Sequence, residues 1–135
     1  MSKQHEGRVY FALDGDEFDP SEVTRLLEVE PTTVILKGKS PEGYEIRKTS
    51  WILSTENLIR DYIDVFQMSS DIVGRLINKK DKILKAIDKF KLIPRLEVVL
   101  RFSGDDHISM PAIGFEAETV KFLGEIGAHI DIDTY

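Results

Sequence analysis

The sequence predicts an α+β domain in which a largely antiparallel sheet carries its helices on one face. Three observations predict it: a first strand with a period of two, a basic hairpin followed by a long helical region, and a strand-helix-strand run at the end. The order is β-α-β-β-α-β plus one further α-β unit, and its first six elements match the ferredoxin-like split βαβ arrangement. At 135 residues the chain fits a single domain, residues 1–135.

The first strand and first helix have clear local signals. Residues 8–14 alternate between an apolar and a mixed side, which is typical of a half-buried strand. Asp19 can then cap a helix, Pro20 fits its first turn, and Glu22 lies at the capping-box position. We expect a short helix that ends before Pro31.

The middle of the chain predicts a hairpin and then a helical region. Residues 33–37 and 45–53 are predicted to be strands, because the sequence KGKSPEG between them is typical of a turn. From Thr55 the apolar period becomes helical and continues to about Lys91, with a break at the sequence MSSD that can divide the helix in two. The first apolar stripe of this helical region consists of Leu58, Ile59, Tyr62, Ile63 and Phe66.

The last third predicts a strand, a loop, a helix and a closing strand. Pro94 marks a boundary, and residues 96–102 alternate as a half-buried strand. The sequence SGDDHISMPAIG is predicted to be a loop, and residues 116–126 a helix that Gly127 ends in the left-handed conformation. The closing strand is predicted to point Ala128, Ile130 and Ile132 inward and His129, Asp131 and Asp133 outward.

Composition excludes several classes of protein. The net charge of −6 disfavours nucleic acid and anionic membranes as partners, and no apolar stretch reaches the length of a membrane span. The absence of cysteine removes disulfides and thiolate chemistry, and the three histidines leave little material for imidazole chemistry. Without a membrane span we expect a soluble protein, and without a secretory signal a cytoplasmic one. We expect no cofactor.

Neither of two candidate metal patterns leads to a predicted metal site. The sequence DGDEFD has Phe18 and Asp19 where a calcium loop needs an oxygen ligand and a glycine, so a turn before a capped helix explains it better. His129, Asp131 and Asp133 share a strand face, but the polar side of a half-exposed strand gives the same pattern.

The candidate binding residues lie at the hairpin. Lys37, Lys39, Arg47 and Lys48 place four positive charges there in an acidic protein, where they could dock an anion or an acidic partner, or simply protect an edge strand. Trp51 follows them in the second strand of the hairpin. We predict a core position for Trp51, and the alternative is an aromatic binding patch with Tyr10 and Tyr135 on the sheet face away from the helices.

Four segments together resemble one known family. They are FALDGDEFDPSEVTRLLEVEPT near the start, the Lys37-Gly38 pair, Trp51 with Ser54 shortly after it, and IDIDTY at the end. In order and spacing the chain is similar to the bacterial family called domain of unknown function 4279. The resemblance spans nearly the whole chain and implies a small bacterial α+β domain, without supplying catalytic residues.

Three functional hypotheses follow. Because the sequence contains no catalytic constellation, the first is a non-enzymatic binding or protein-interaction domain. The second, which the resemblance implies, is an immunity protein whose acidic charge speeds its encounter with a toxin. The third is a small-molecule binder or enzyme that uses the outer sheet face, where Tyr10, Arg47, Trp51, Arg101 and His129 would converge.

Overall fold

The computed structural model describes residues 3–135, which have mixed α+β content. Its elements in chain order are β1 His5–Gly15, α1 Pro20–Leu27, β2 Thr33–Ile35, β3 Gly38–Lys39, β4 Glu45–Ile46, β5 Thr49–Ser54, β6 Leu58–Arg60, α2 Val65–Gly74, a 3₁₀ turn Ile77–Lys79, α3 Lys80–Phe90, β7 Ile93–Arg101, α4 Ala117–Glu125 and β8 His129–Thr134. Within this part of the chain, no helix is long and apolar enough to cross a membrane.

The main sheet has the order β2-β5-β1-β7-β8, and β6 pairs with the first residues of β1. Each neighbouring pair from β2 to β7 is antiparallel, whereas β8 runs parallel to β7. A parallel neighbour needs a crossover, and α4 provides it. The order β2-β5-β1-β7 is that of a split βαβ arrangement, so the predicted fold class is confirmed, with α4 and β8 as its extension.

One face of the sheet packs against all four helices in a single core. In β1 the odd-numbered side chains Val9, Phe11 and Leu13 are fully buried there. The register places Leu53 opposite Phe11 and Trp51 opposite Leu13, so all five side chains point to the same face. The helices contribute Val23, Leu27, Met68, Ile72, Val73, Ile83, Ala86, Phe122 and Leu123.

The start of α1 confirms the predicted cap. Asp19 accepts a hydrogen bond from the backbone N–H of Ser21 at 2.9 Å, and Pro20 is the first helical residue. The reciprocal half of a capping box is missing, because the Glu22 carboxylate instead approaches Arg25 at 3.5 Å. The helix ends at Glu28, which adopts a left-handed φ of 58°.

The predicted helix from Thr55 is wrong in its first half. Leu58–Arg60 is strand β6, and the helix begins only at Val65, where Asp64 accepts a hydrogen bond from the N–H of Gln67 at 3.3 Å. The predicted break at MSSD is also wrong, because these residues lie inside α2. The helical region divides instead at Ile77–Lys79, before α3.

The predicted hairpin exists, but it is interrupted. β2 pairs with β5, while β3 and β4 form a two-stranded ribbon that is separate from the main sheet. We call residues 36–48 the hairpin arm. Where it leaves the sheet, the backbone N–H of Lys37 donates to Thr49 Oγ1 at 3.0 Å. Gly38 has a φ of 132°, a value that favours glycine, at the start of the ribbon.

The loop, α4 and β8 match their predictions, but the predicted boundary at Pro94 is wrong, because Pro94 lies inside β7, where it pairs with Leu13. The loop and α4 lie where the sequence places them, and Gly127 has a left-handed φ of 72°. Ile130 and Ile132 face the helix side of the sheet as predicted, yet they are 37% and 44% exposed. They remain exposed because β8 is the edge strand of the sheet and has no neighbour on its other side within residues 3–135.

Candidate functional site

An apolar groove lies between β2 and the hairpin arm, and we call it the arm groove. Its volume is about 700 Å³. The groove is lined by Val34, Ile35, Leu36, Lys39, Ser40, Pro41, Glu42, Tyr44, Glu45 and Ile46. Four of its apolar side chains are 40–62% exposed: Val34, Ile35, Leu36 and Tyr44. Neighbouring apolar side chains with this exposure are typical of an interaction surface.

Strand β2 forms one wall of this groove and one edge of the main sheet. Among the described residues it pairs with β5 alone, so its other edge is open to a further strand. The sequence VIL at positions 34–36 places apolar side chains on both sides of this edge. An open apolar edge is a template for an added strand unless the protein protects it.

The four predicted basic residues all lie on or beside the hairpin arm, in different settings. Lys37 forms an ion pair with Asp16 at 2.8 Å, and this hydrogen-bonded carboxylate raises the pKa of Lys37. Lys39 lines the arm groove. Arg47 and Lys48 are exposed at the end of the arm and form no ion pair within residues 3–135. Three positive charges of the arm are therefore available to a partner.

Trp51 lies in the core and does not line the arm groove. Its side chain is fully buried in the core, and its indole N–H donates to Thr24 Oγ1 at 3.0 Å. The predicted core position is confirmed. The alternative aromatic patch is wrong, because Tyr10 lies on the opposite face of β1. Trp51 pairs directly with Val34, so it supports the wall of the arm groove from the core side.

The sheet face away from the helices, which we call the outer face, carries a polar network centred on Arg95. The Arg95 guanidinium donates to both carboxylate oxygens of Asp14, at 2.8 and 3.1 Å, to Tyr10 Oη at 3.0 Å and to Glu97 Oε1 at 2.6 Å. Ser50 Oγ donates to Asp14 at 2.6 Å. These groups satisfy one another, which is typical of a structural network.

The two carboxylates of this network respond to it in opposite directions. Burial alone would raise the pKa of Asp14, but the hydrogen bonds from Arg95 and Ser50 outweigh it, so the pKa lies below its ordinary value. For Glu97, burial raises the pKa against the hydrogen bond from Arg95, and the negative charge of Asp131 adds to the rise. Asp131 is the direct neighbour of Glu97 on β8.

The five side chains of the small-molecule hypothesis do not converge. Tyr10, Arg101 and His129 lie on the outer face, whereas Trp51 faces the helices and Arg47 lies on the hairpin arm. No group of three or more histidine, aspartate or glutamate side chains within residues 3–135 is arranged to hold a metal ion.

The sequence analysis did not predict the apolar side chains of the arm groove as a binding surface. The run Val34-Ile35-Leu36 was the available signal, since three consecutive apolar residues in a short strand cannot all point to one core.

Comparison with known proteins identifies the family to which the chain belongs. No curated protein and no solved structure matches the chain at a significant level. Residues 5–135 match the model of domain of unknown function 4279 (DUF4279), and the chain belongs to this family.

Proposed function

We propose that this chain is a non-enzymatic protein-interaction domain that binds an extended segment of a partner protein in the arm groove. The observation that carries the proposal is the open edge of β2 beside a groove of about 700 Å³ with exposed apolar walls. An extended segment can pair with the backbone of β2 and place alternate side chains in the groove. The volume lies within the range of ordinary ligand sites.

The charges of the hairpin arm indicate the chemistry of the partner segment. Apart from Lys37, which is paired with Asp16, the arm carries Lys39, Arg47 and Lys48 against the carboxylates of Glu42 and Glu45, so its net charge is +1 in a protein of −6. A segment with apolar residues at alternate positions and acidic residues at its flank fits both the groove and this charge. Bacterial origin and a cytoplasmic location belong to this proposal as predictions.

The test is selection of extended peptides from a displayed library, followed by affinity measurement on two variants. Leu36→Ser with Tyr44→Ser removes two apolar walls that are 59% and 62% exposed. Ile59→Ser with Tyr62→Ser is the matched control, since these side chains are 55% and 57% exposed elsewhere. We expect the first pair to weaken binding roughly ten-fold or more and the control pair to leave it unchanged.

Three results would contradict the proposal. They are a library that yields no peptide, equal losses in both variants, and selected peptides without alternating apolar residues. Steady turnover of a metabolite by the purified chain would contradict the non-enzymatic part. The narrower immunity hypothesis stays a prediction, and it requires that co-expression protect cells from a toxin encoded beside this chain.

A further inference from the structure

A small polar pocket lies on the outer face, away from the arm groove. It is lined by Glu6, Gly7, Arg8, Asn57, Val99, Arg101 and Tyr135, and its volume is about 80 Å³. The register of β1 and β7 places Arg101 opposite Glu6 and Val99 opposite Arg8. The two arginines are therefore diagonal neighbours on one sheet face, close enough for their side chains to reach the same small ligand.

Both arginines are held by tyrosine rings and not by carboxylates. The guanidinium carbon of Arg8 lies 5.8 Å from the centre of the Tyr10 ring, and that of Arg101 lies 4.9 Å from the centre of the Tyr135 ring. Neither arginine forms an ion pair in the part of the chain that the structure describes. When a guanidinium contacts the face of an aromatic ring, its N–H groups need not donate to that ring. The N–H donors of Arg8 and Arg101 therefore remain available to a ligand.

Arg95, on the same face, differs from Arg8 and Arg101 because its N–H donors already have acceptors. The donors of Arg95 are taken up by Asp14, Tyr10 and Glu97, and only 19% of its side chain is exposed. Among its side chains the pocket has one carboxylate, that of Glu6, and Glu6 Oε1 accepts a hydrogen bond from the Asn57 amide at 3.0 Å. Two positively charged side chains therefore face one negatively charged side chain that already has a partner, although the protein as a whole is acidic.

We propose that this pocket binds a single oxyanion group, a carboxylate or a phosphate, between Arg8 and Arg101. Planar guanidinium groups match the oxygens of both anions through paired N–H donors. The volume is well below the roughly 300 Å³ of a site that encloses a whole small molecule. The pocket therefore takes the charged head of a ligand whose remainder lies in solvent. This site is separate from the arm groove and does not depend on the function proposed there.

The test is a titration with inorganic phosphate, and separately with acetate, at constant ionic strength set by chloride, followed by NMR of the backbone and arginine side chains. We expect saturable shifts at Arg8, Arg101 and Asn57 with a dissociation constant in roughly the millimolar range. Tighter binding of phosphate identifies a phosphate ligand, and tighter binding of acetate a carboxylate. Shifts that do not saturate with either anion, or saturation elsewhere, would overturn the proposal.

Two double variants distinguish a specific anion site from a general effect of the protein's net charge. Arg8→Gln with Arg101→Gln should weaken anion binding by roughly ten-fold or more, equivalent to about 1.4 kcal/mol. Arg60→Gln with Arg75→Gln makes the same change in net charge at exposed positions and should leave the affinity unchanged. Equal losses in both would overturn the proposal. Should the first variant not fold, Arg8→Lys with Arg101→Lys retains the charge, and the proposal then requires weaker binding than in the original chain.

Discussion

The two faces of strand β1 show how one backbone supports two kinds of packing. Its odd-numbered side chains Val9, Phe11 and Leu13 are fully buried against helices. On the outer face, Tyr10 and Asp14 belong to a polar network with Arg95, on the side of the sheet away from the described helices. Burial on the first face comes from apolar contact, and on the second from long polar side chains that cover one another.

This difference indicates where stability and binding reside. The helix face has tightly packed apolar side chains and few donors without partners, so we expect its substitutions to act on stability. On the outer face, every guanidinium nitrogen of Arg95 donates to an acceptor, whereas Arg8 and Arg101 at one end have no carboxylate partner among the described residues. We therefore expect substitutions at the centre of this face to act on stability and those at its end to act on binding. Four substitutions test this division, from the largest expected effect to the smallest.

The largest effect is expected at Trp51 on the helix face. Trp51→Ala should lower the free energy of unfolding by about 3–5 kcal/mol, because it leaves a cavity under β5 and removes the hydrogen bond to Thr24. Urea unfolding followed by circular dichroism measures it. A loss below about 1 kcal/mol would mean that Trp51 contributes little packing, and would contradict its core role.

The next effect is expected at the centre of the outer face. Arg95→Met keeps much of the aliphatic stem but leaves Asp14 and Glu97 without their cation, so we expect a loss of about 2–3 kcal/mol. Replacing Asp14 by Asn and Glu97 by Gln in the same chain should recover most of it, since no buried charge then lacks a partner. If the triple variant is no more stable than Arg95→Met alone, packing and not charge explains the loss.

A smaller effect isolates the polar contact of the helix face. Thr24→Val keeps the shape of the side chain but removes the oxygen that accepts the Trp51 N–H, at a cost of about 1–2 kcal/mol. Thr24→Ser is the control, because it retains the hydroxyl. Equal unfolding midpoints in urea for the valine and serine variants would show that this hydrogen bond contributes nothing.

The smallest effect is a pH dependence at Glu97. Its pKa in the folded protein lies above the ordinary value of 4.5, so its contribution to stability is present below that value and is lost as the pH rises through the folded pKa. Glu97→Gln removes this dependence, while the opposite contribution of Asp14 remains in both proteins. We therefore expect the variant to gain stability relative to the original chain between pH 4 and pH 7 in urea titrations. A relative loss over that interval would reverse the assigned direction.

Local signals predicted some elements accurately. The cap at Asp19 and the glycine stop at Gly127 depend on hydrogen bonds and backbone angles within a few residues, and both are confirmed. The helix predicted from Thr55 failed because its apolar spacing also suits β6, which forms only where the first residues of β1 provide a partner. A three-residue strand has no local signature strong enough to outweigh a helical period.

The candidate site was predicted in part. The four basic residues of the arm were identified from sequence, but the apolar groove beside them was missed. Exposure of Val34 and Leu36 depends on β2 being the edge of the sheet, and the order of strands is a property of the whole fold. The oxyanion pocket was missed for the same reason, since Arg8 and Arg101 are 93 positions apart and meet only through the pairing of β1 with β7.

The sequence by itself determined the fold class and the alternation of β1, β7 and β8, and it favoured a core position for Trp51, because period and composition act over a few residues. Only the tertiary structure decided which strand edges are open, which arginines have carboxylate partners and which have none. Those properties depend on contacts between segments that are distant in the sequence. The order of strands in the sheet, and not any local pattern, decides which side chains meet and which are buried.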